Sequence, residues 1–183
     1  LDHVKAEVRR LTSLLRVQEL RAERDLPVIE MSKHLVFTGN PGTGKTTVVK
    51  LLGKIFHSMG LLSKGHVHQV DASDLVSGYV RQTGKTTKEQ IEKARGGILF
   101  IDEAYSLVKD HEDFGREAIE TLLKRMEDDR ERLIVIVAGY PEEMERFLRS
   151  NPGLQSRFSR RIEFPDYTAL ELCRIFGRMC RRN

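Results

Sequence analysis

The sequence predicts an α/β fold, a mainly parallel five-stranded sheet with helices on both faces. Three observations predict it. Short apolar, β-rich runs alternate along the chain with longer stretches of helical character, the order of βαβ units. Those runs are near-continuous in hydrophobicity, as strands covered on both faces must be. A glycine-rich turn, Gly39-Asn40-Pro41-Gly42-Thr43-Gly44-Lys45-Thr46, joins the first such run to a helix. Strand, glycine-rich turn and helix is the unit that receives phosphate groups.

The elements follow in order. Val4, Val8, Leu11 and Leu15, with Leu14 beside them, make one stripe of a helix over 2–24. Leu26-Pro27 ends it, because proline disfavours helix before and at itself. Leu35–Thr38 is the first strand, followed by a helix over 45–59 and a turn at Gly60. Val67–Asp71 is the second strand. A second G-K-T, Gly84-Lys85-Thr86, has Tyr79 where a phosphate loop needs glycine, and no apolar run before it. It is expected to be a polar, mobile loop. A helix over 87–95, a break at Gly96-Gly97 and the third strand, Ile98–Ile101, come next. Lys109–Phe114 reads as a charged loop, either solvated or facing a neighbour. A helix over 114–129, a fourth strand Leu133–Ala138 and a short fifth strand Ile162–Phe164 complete the sheet. Beyond Pro165, Thr168–Arg182 is helical, with Leu170, Leu172, Ile175, Phe176 and Met179 as its apolar content.

Composition bounds the function classes. The 183 residues suit one domain with a real core, and 39% hydrophobic against 32% charged content describes a soluble globular chain. No apolar run approaches the roughly 20 residues that span a bilayer, and no signal-peptide core is visible. No membrane association and a cytoplasmic address are therefore expected. Cys173 and Cys180 are too few for a disulfide framework. They lie on one face of a helix, and core packing is expected for them. The net charge of +4 permits an acidic partner without arguing for nucleic acid. Arg9, Arg10, Arg16, Arg21 and Arg24 read as a solvated helix face. His66 and His68 share a strand face but lack a third metal ligand in the pattern, so surface or hydrogen-bonded roles are expected.

Two clusters carry chemistry. In the turn, Asn40, Pro41, Gly42, Thr43, Gly44, Lys45, Thr46 and Thr47 surround the position where phosphates bind, and all but Pro41 offer a backbone N–H. Lys45 reaches β- and γ-phosphates, and the Thr46 hydroxyl suits Mg²⁺. The expected ligands are ATP and Mg²⁺. The third strand delivers Asp102 and Glu103 to the carboxyl edge of the sheet, where such sheets bind ligands. Asp102 suits the metal, directly or through water, and Glu103 can orient and deprotonate an attacking water.

With these residues in view the chain resembles an AAA+ ATPase, a branch of the P-loop NTPases. The subfamily is CfxQ/CbbX-like, which takes in red-type rubisco activases, stage V sporulation protein K and type VII secretion ATPases. The resemblance runs through Phe37–Thr47, Gly97–Tyr105, Ala138-Gly139-Tyr140, Asn151–Phe158 and Glu163–Tyr167. It implies an AAA+ large α/β subdomain over 1–167, with the N-terminal helix inside 1–25. Residues 168–183 would then be the start of a helical lid subdomain, truncated. It implies a homo-oligomeric, hexameric ring with ATP between neighbours. It places Arg157 and Arg160 as arginine fingers, though a solvated basic turn is the plain alternative. It places Ser77-Gly78-Tyr79-Val80 as a pore loop in which Tyr79 and Val80 grip a protein client, the alternative being a half-buried tyrosine. Tyr140 stands where many relatives carry the sensor-1 asparagine, a departure that puts that role in doubt.

The expected function is a protein-remodelling ATPase that hydrolyses ATP with Mg²⁺ in a ring with a central pore, acting on a protein client. The catalytic residues would be Lys45, Glu103, Arg157 and Arg160. A nucleotide-binding assembly module with little turnover and a nucleic-acid motor or loader are the alternatives.

Overall fold

In the computed structural model, residues 2–28, 31–77, 82–109 and 112–180 are described. The elements are α1 (Asp2–Ala22), β1 (Leu35–Thr38), α2 (Lys45–Ser58), β2 (Val67–Asp71), a 3₁₀ turn (Ala72–Leu75), α3 (Thr83–Ala94) and β3 (Ile98–Asp102). They continue with α4 (Ser106–Lys109), α5 (Glu112–Asp128), β4 (Ile134–Gly139), α6 (Pro141–Arg149), α7 (Pro152–Arg157), β5 (Arg160–Glu163) and α8 (Ala169–Cys180).

The five strands form one sheet in the order β2-β3-β4-β1-β5. Every pairing is parallel, with Leu35 opposite both Ile136 and Arg160, and Ile98 opposite both Val67 and Ile134. The inner strands β1 and β4 are buried at every position, and β3 at all but Asp102. Successive residues serve opposite faces. Leu35, Phe37, Ile98, Phe100, Ile134 and Ile136 pack under α1 and α2, against Val4, Leu11, Leu15, Val49, Leu52 and Phe56. Val36, Leu99, Ile101, Val135 and Val137 pack against Ile91, Leu122, Met126, Phe147 and Leu154 from α3, α5, α6 and α7. The outer strands β2 and β5 bury only one residue each.

Because the sheet is parallel, the chain leaves β1, β3 and β4 at the same edge. The phosphate loop, Asp102-Glu103 and Gly139-Tyr140 therefore share that edge, with β4 between β1 and β3. The other edge, where strands begin, holds His34 and the approach to β5.

Several sequence expectations are corrected. Gly84-Lys85-Thr86 is not a loop: it forms the first turns of α3. This turn lacks an apolar stripe because it is seated by hydroxyls. Thr87 Oγ1 donates to the carbonyls of Leu75 at 2.8 Å and Thr83 at 2.9 Å, and Thr83 Oγ1 accepts from Ser77 N at 3.1 Å. Lys109 ends α4 and residues 112–114 begin α5, so the segment read as a charged loop is mostly helix. The fifth strand begins two residues earlier than expected, because pairing with β1 begins at Arg160. The helices α4, α6 and α7 carried too short a periodicity to be foreseen. Cys173 and Cys180 are exposed rather than packed, since α8 buries no residue at all.

Candidate nucleotide site

The phosphate loop begins where β1 ends. Gly39 takes φ 148°, and its missing side chain makes room for the Phe164 carbonyl. Gly44, the N-cap of α2, has φ 93°, in the left-handed region that glycine enters without strain. The loop therefore closes into a cup whose floor is the N-terminus of a 14-residue helix, where unpaired N–H groups and the helix dipole favour an anion.

Lys45 is buried at 8% exposure, and its ammonium donates to the Gly39 carbonyl at 2.8 Å and the Asn40 carbonyl at 2.9 Å. Burial holds its pKa below the ordinary lysine value, and the carboxylates of Asp102 and Glu103 act against that shift. Those two carboxylates thus face the loop across β4. Thr43 Oγ1 donates to the Asn40 carbonyl at 2.8 Å, which tightens the turn. The Thr46 side chain is half-buried, on the first turn of α2.

Asp102 Oδ1 accepts from the Glu103 N–H at 3.1 Å. Glu103 has φ 47°, a left-handed conformation that a non-glycine residue enters at a cost. It turns the chain sharply off β3 and leaves the carboxylate exposed beside the loop. The Ala104 N–H donates to the Ala138 carbonyl at 3.2 Å and fixes this corner to β4. Tyr105 was singled out by the sequence only as part of a motif. Burial and then the Glu103 charge push its phenol up to about 12. Its ring lies against Gly139 and 6.2 Å from the ring of Tyr140. Tyr140 is the N-cap of α6 and makes no side-chain capping bond there.

Arg157 and Arg160 are not brought to this site. Arg160 opens β5 opposite Leu35, and Arg157 precedes it at the end of α7. Both sit at the edge where strands begin, about 13 Å from the loop by the length of β1 alone, four residues at roughly 3.3 Å each. Arg157 donates to Glu127 at 3.2 Å, and its backbone carbonyl accepts from the Ser32 hydroxyl. Tyr79 and Val80 lie outside the described residues. His66 and His68 are hydrogen-bonded to α3, at the Lys93 carbonyl and the Gln90 side chain, both at 2.8 Å. Among the described residues no helix is long and apolar enough to cross a membrane.

The strap after β5 was missed as a contributor. Asn40 Nδ2 donates to both Asp166 oxygens, at 3.0 and 2.9 Å, and the Tyr167 hydroxyl donates to the Thr43 carbonyl at 2.8 Å. These residues stand more than 120 positions from the loop, and no periodicity or spacing links them.

A glycine-rich loop on a helix N-terminus, a buried lysine inside it and a paired Asp-Glu corner on the same sheet edge define a P-loop nucleotide-binding domain. Residues 35–166 match the family described as ATPase family associated with various cellular activities (AAA), and the chain belongs to that family. It is 49% identical over 180 residues to stage V sporulation protein K of Bacillus subtilis, covering 98% of this chain and 56% of that protein. It is 48% identical over 177 residues to the chromosomal protein CbxX of Cupriavidus necator, covering 96% and 56%. It is 48% identical over 184 residues to the ESX-3 secretion system protein EccA3 of Mycolicibacterium smegmatis, covering 100% and 30%. The chain thus spans little more than half the length of the first two. The crystal structure of the FIGL-1 AAA domain in complex with ADP shares the fold. Its TM-score is 0.53 at 23% identity, over 79% of this chain and 47% of that one.

Proposed function

We propose that this chain is the large α/β subdomain of an ATP-hydrolysing, Mg²⁺-dependent, protein-remodelling ATPase that works as a homo-oligomeric ring. Lys45 and the loop N–H groups hold the phosphates, and Thr46 and Asp102 hold Mg²⁺. Mg²⁺ bound there would offset the charge of the β- and γ-phosphates. Glu103, exposed at the mouth of the loop, orients the attacking water and takes its proton. Residues 1–167 form the subdomain, and α8 opens a second, helical one.

The observation that carries the ring is the separation of Arg157 from Lys45. The two lie at opposite edges of one rigid sheet, so Arg157 cannot serve its own nucleotide. It can serve a neighbour's if chains stack edge to edge. A guanidinium supplied across a subunit boundary stabilises charge on the transferring phosphoryl group, worth about 10³–10⁵ in rate where measured. Arg160, at the same edge, is the second candidate finger. Tyr79 and Val80 would line the central pore and hold a protein client.

The test is the ATPase rate per chain as protein concentration rises, with Mg²⁺, for wild type and Arg157→Ala. The rate is expected to climb with concentration and to fall by two orders of magnitude or more in the variant. A low rate independent of concentration and of Arg157 would instead favour a nucleotide-binding assembly module.

A further inference from the structure

The residues after β5 run along the phosphate loop. The Phe164 N–H donates to the Thr38 carbonyl at 2.7 Å, which carries the β1–β5 pairing up to the threshold of the loop. The Phe164 carbonyl then fills the space that Gly39 leaves by lacking a side chain. Asp166 takes both hydrogen bonds from the Asn40 amide, and the Tyr167 hydroxyl holds the Thr43 carbonyl. A Cβ on Gly44 would stand 2.8 Å from that hydroxyl. The loop is thus held at its two shoulders, Asn40 and Thr43, while Pro41 and Gly42 between them stay exposed.

The next residue, Thr168, caps α8. Its N–H donates to Glu171 Oε2 at 3.0 Å, and its Oγ1 accepts from the Glu171 N–H at 3.3 Å. This reciprocal pair is a capping box. One short strap therefore joins β5, both shoulders of the loop and the first turn of α8. The helix it leads into buries no residue.

We propose that Asp166 and Tyr167 are positioning residues for the nucleotide, which hold the phosphate loop in its receiving shape and carry its occupancy into α8. The proposal rests on the nucleotide-site reading above. Two physical consequences follow. A loop already fixed loses less conformational entropy when it binds, so the strap raises nucleotide affinity without touching the reacting atoms. Arriving phosphate also draws the Lys45 ammonium from the Gly39 and Asn40 carbonyls. The resulting shift at Asn40 passes through Asp166 to the cap of α8.

The experiment is hydrogen exchange of the 183-residue chain with and without Mg²⁺-ADP, alongside ADP titration, for wild type, Tyr167→Phe and Asp166→Ala. Tyr167→Phe removes one hydroxyl and keeps the ring. In wild type, ADP is expected to slow exchange both over residues 39–46 and in the first turn of α8. In each variant ADP affinity falls about threefold to tenfold, the scale of one or two lost hydrogen bonds. At saturating ADP the loop is still protected but the α8 response is lost. General destabilisation would instead speed exchange everywhere without ADP and leave the two responses linked. Wild-type affinity and α8 protection in both variants would overturn the strap while leaving the nucleotide site standing. An α8 that ignores ADP in wild type would overturn the coupling. No ADP effect on residues 39–46 of wild type would overturn the nucleotide-site reading, and the proposal with it.

Discussion

His34 and Lys45 are both buried nitrogen bases, and their surroundings give them opposite fates. Lys45 keeps its charge because two backbone carbonyls accept from it and two carboxylates face it. The Met126 backbone favours a proton on His34, but stronger influences oppose it. Its Nδ1 accepts from the Val135 N–H at 2.9 Å, a bond that only the neutral ring can make. Burial first, then the positive charges of Arg157 and Lys33, pull its pKa down to about 4. In the unfolded chain the same ring binds a proton near 6.5. The unfolded state therefore takes up protons first as pH falls, so stability is complete above about 6.5 and is lost toward 4. Unfolding by urea should show a loss approaching 3 kcal/mol over that window, at 1.36 kcal/mol per unit, and His34→Gln should remove most of that slope. A wild-type slope no steeper than that of His34→Gln would mean that His34 is not the group responsible. The partners of His34 also touch the candidate finger: the ring lies 6.1 Å from Phe158, next to Arg157.

At the scale of elements, α3 tests how far hydroxyls can replace an apolar stripe. Thr83 and Thr87 are fully buried and bond across to the segment before the helix. Thr87→Val keeps the shape but strands the Leu75 carbonyl, so a loss of about 1–3 kcal/mol in urea unfolding is expected. A loss below about 0.5 kcal/mol would show that packing, not the hydroxyl, seats this turn. The same helix marks a limit of the sequence. The inner strands were legible because a parallel strand covered on both faces must be apolar throughout, as Val36, Leu99 and Val135 are. The phosphate loop was legible because its glycines answer to backbone conformation, and the Asp102-Glu103 corner because carboxylates after an apolar strand reach the ligand edge. The Thr-Gly-Lys-Thr turn of α3 was not legible, since buried hydroxyls and mobile loops share a composition. Nor was the strap, whose bonds join Asn40 to Asp166 and Thr43 to Tyr167 across most of the chain. The cysteines of α8 were misplaced because helical spacing says which face residues share and nothing about what covers that face.

At the scale of the whole molecule, one sheet separates the phosphate loop from Arg157, the candidate finger. The edge where strands end carries Lys45, Asp102 and Glu103, and the edge where they begin carries Arg157, paired with Glu127 in the lone chain. That pairing is between partly exposed groups and is weak enough to exchange for a phosphate. In the proposed ring a complete site requires two chains, and each chain contributes to two sites. Mixing tests this most directly. In the proposed mechanism Glu103→Gln retains its finger but lacks its base, and Arg157→Ala retains its base but lacks its finger. Each variant alone should hydrolyse ATP at a small fraction of the wild-type rate. Mixed in equal amounts with Mg²⁺, they should recover a substantial part of it, because an Arg157→Ala chain can receive the finger of a Glu103→Gln neighbour. A mixture no more active than the average of the two variants, or an Arg157→Ala chain as active as wild type, would contradict a site shared between subunits.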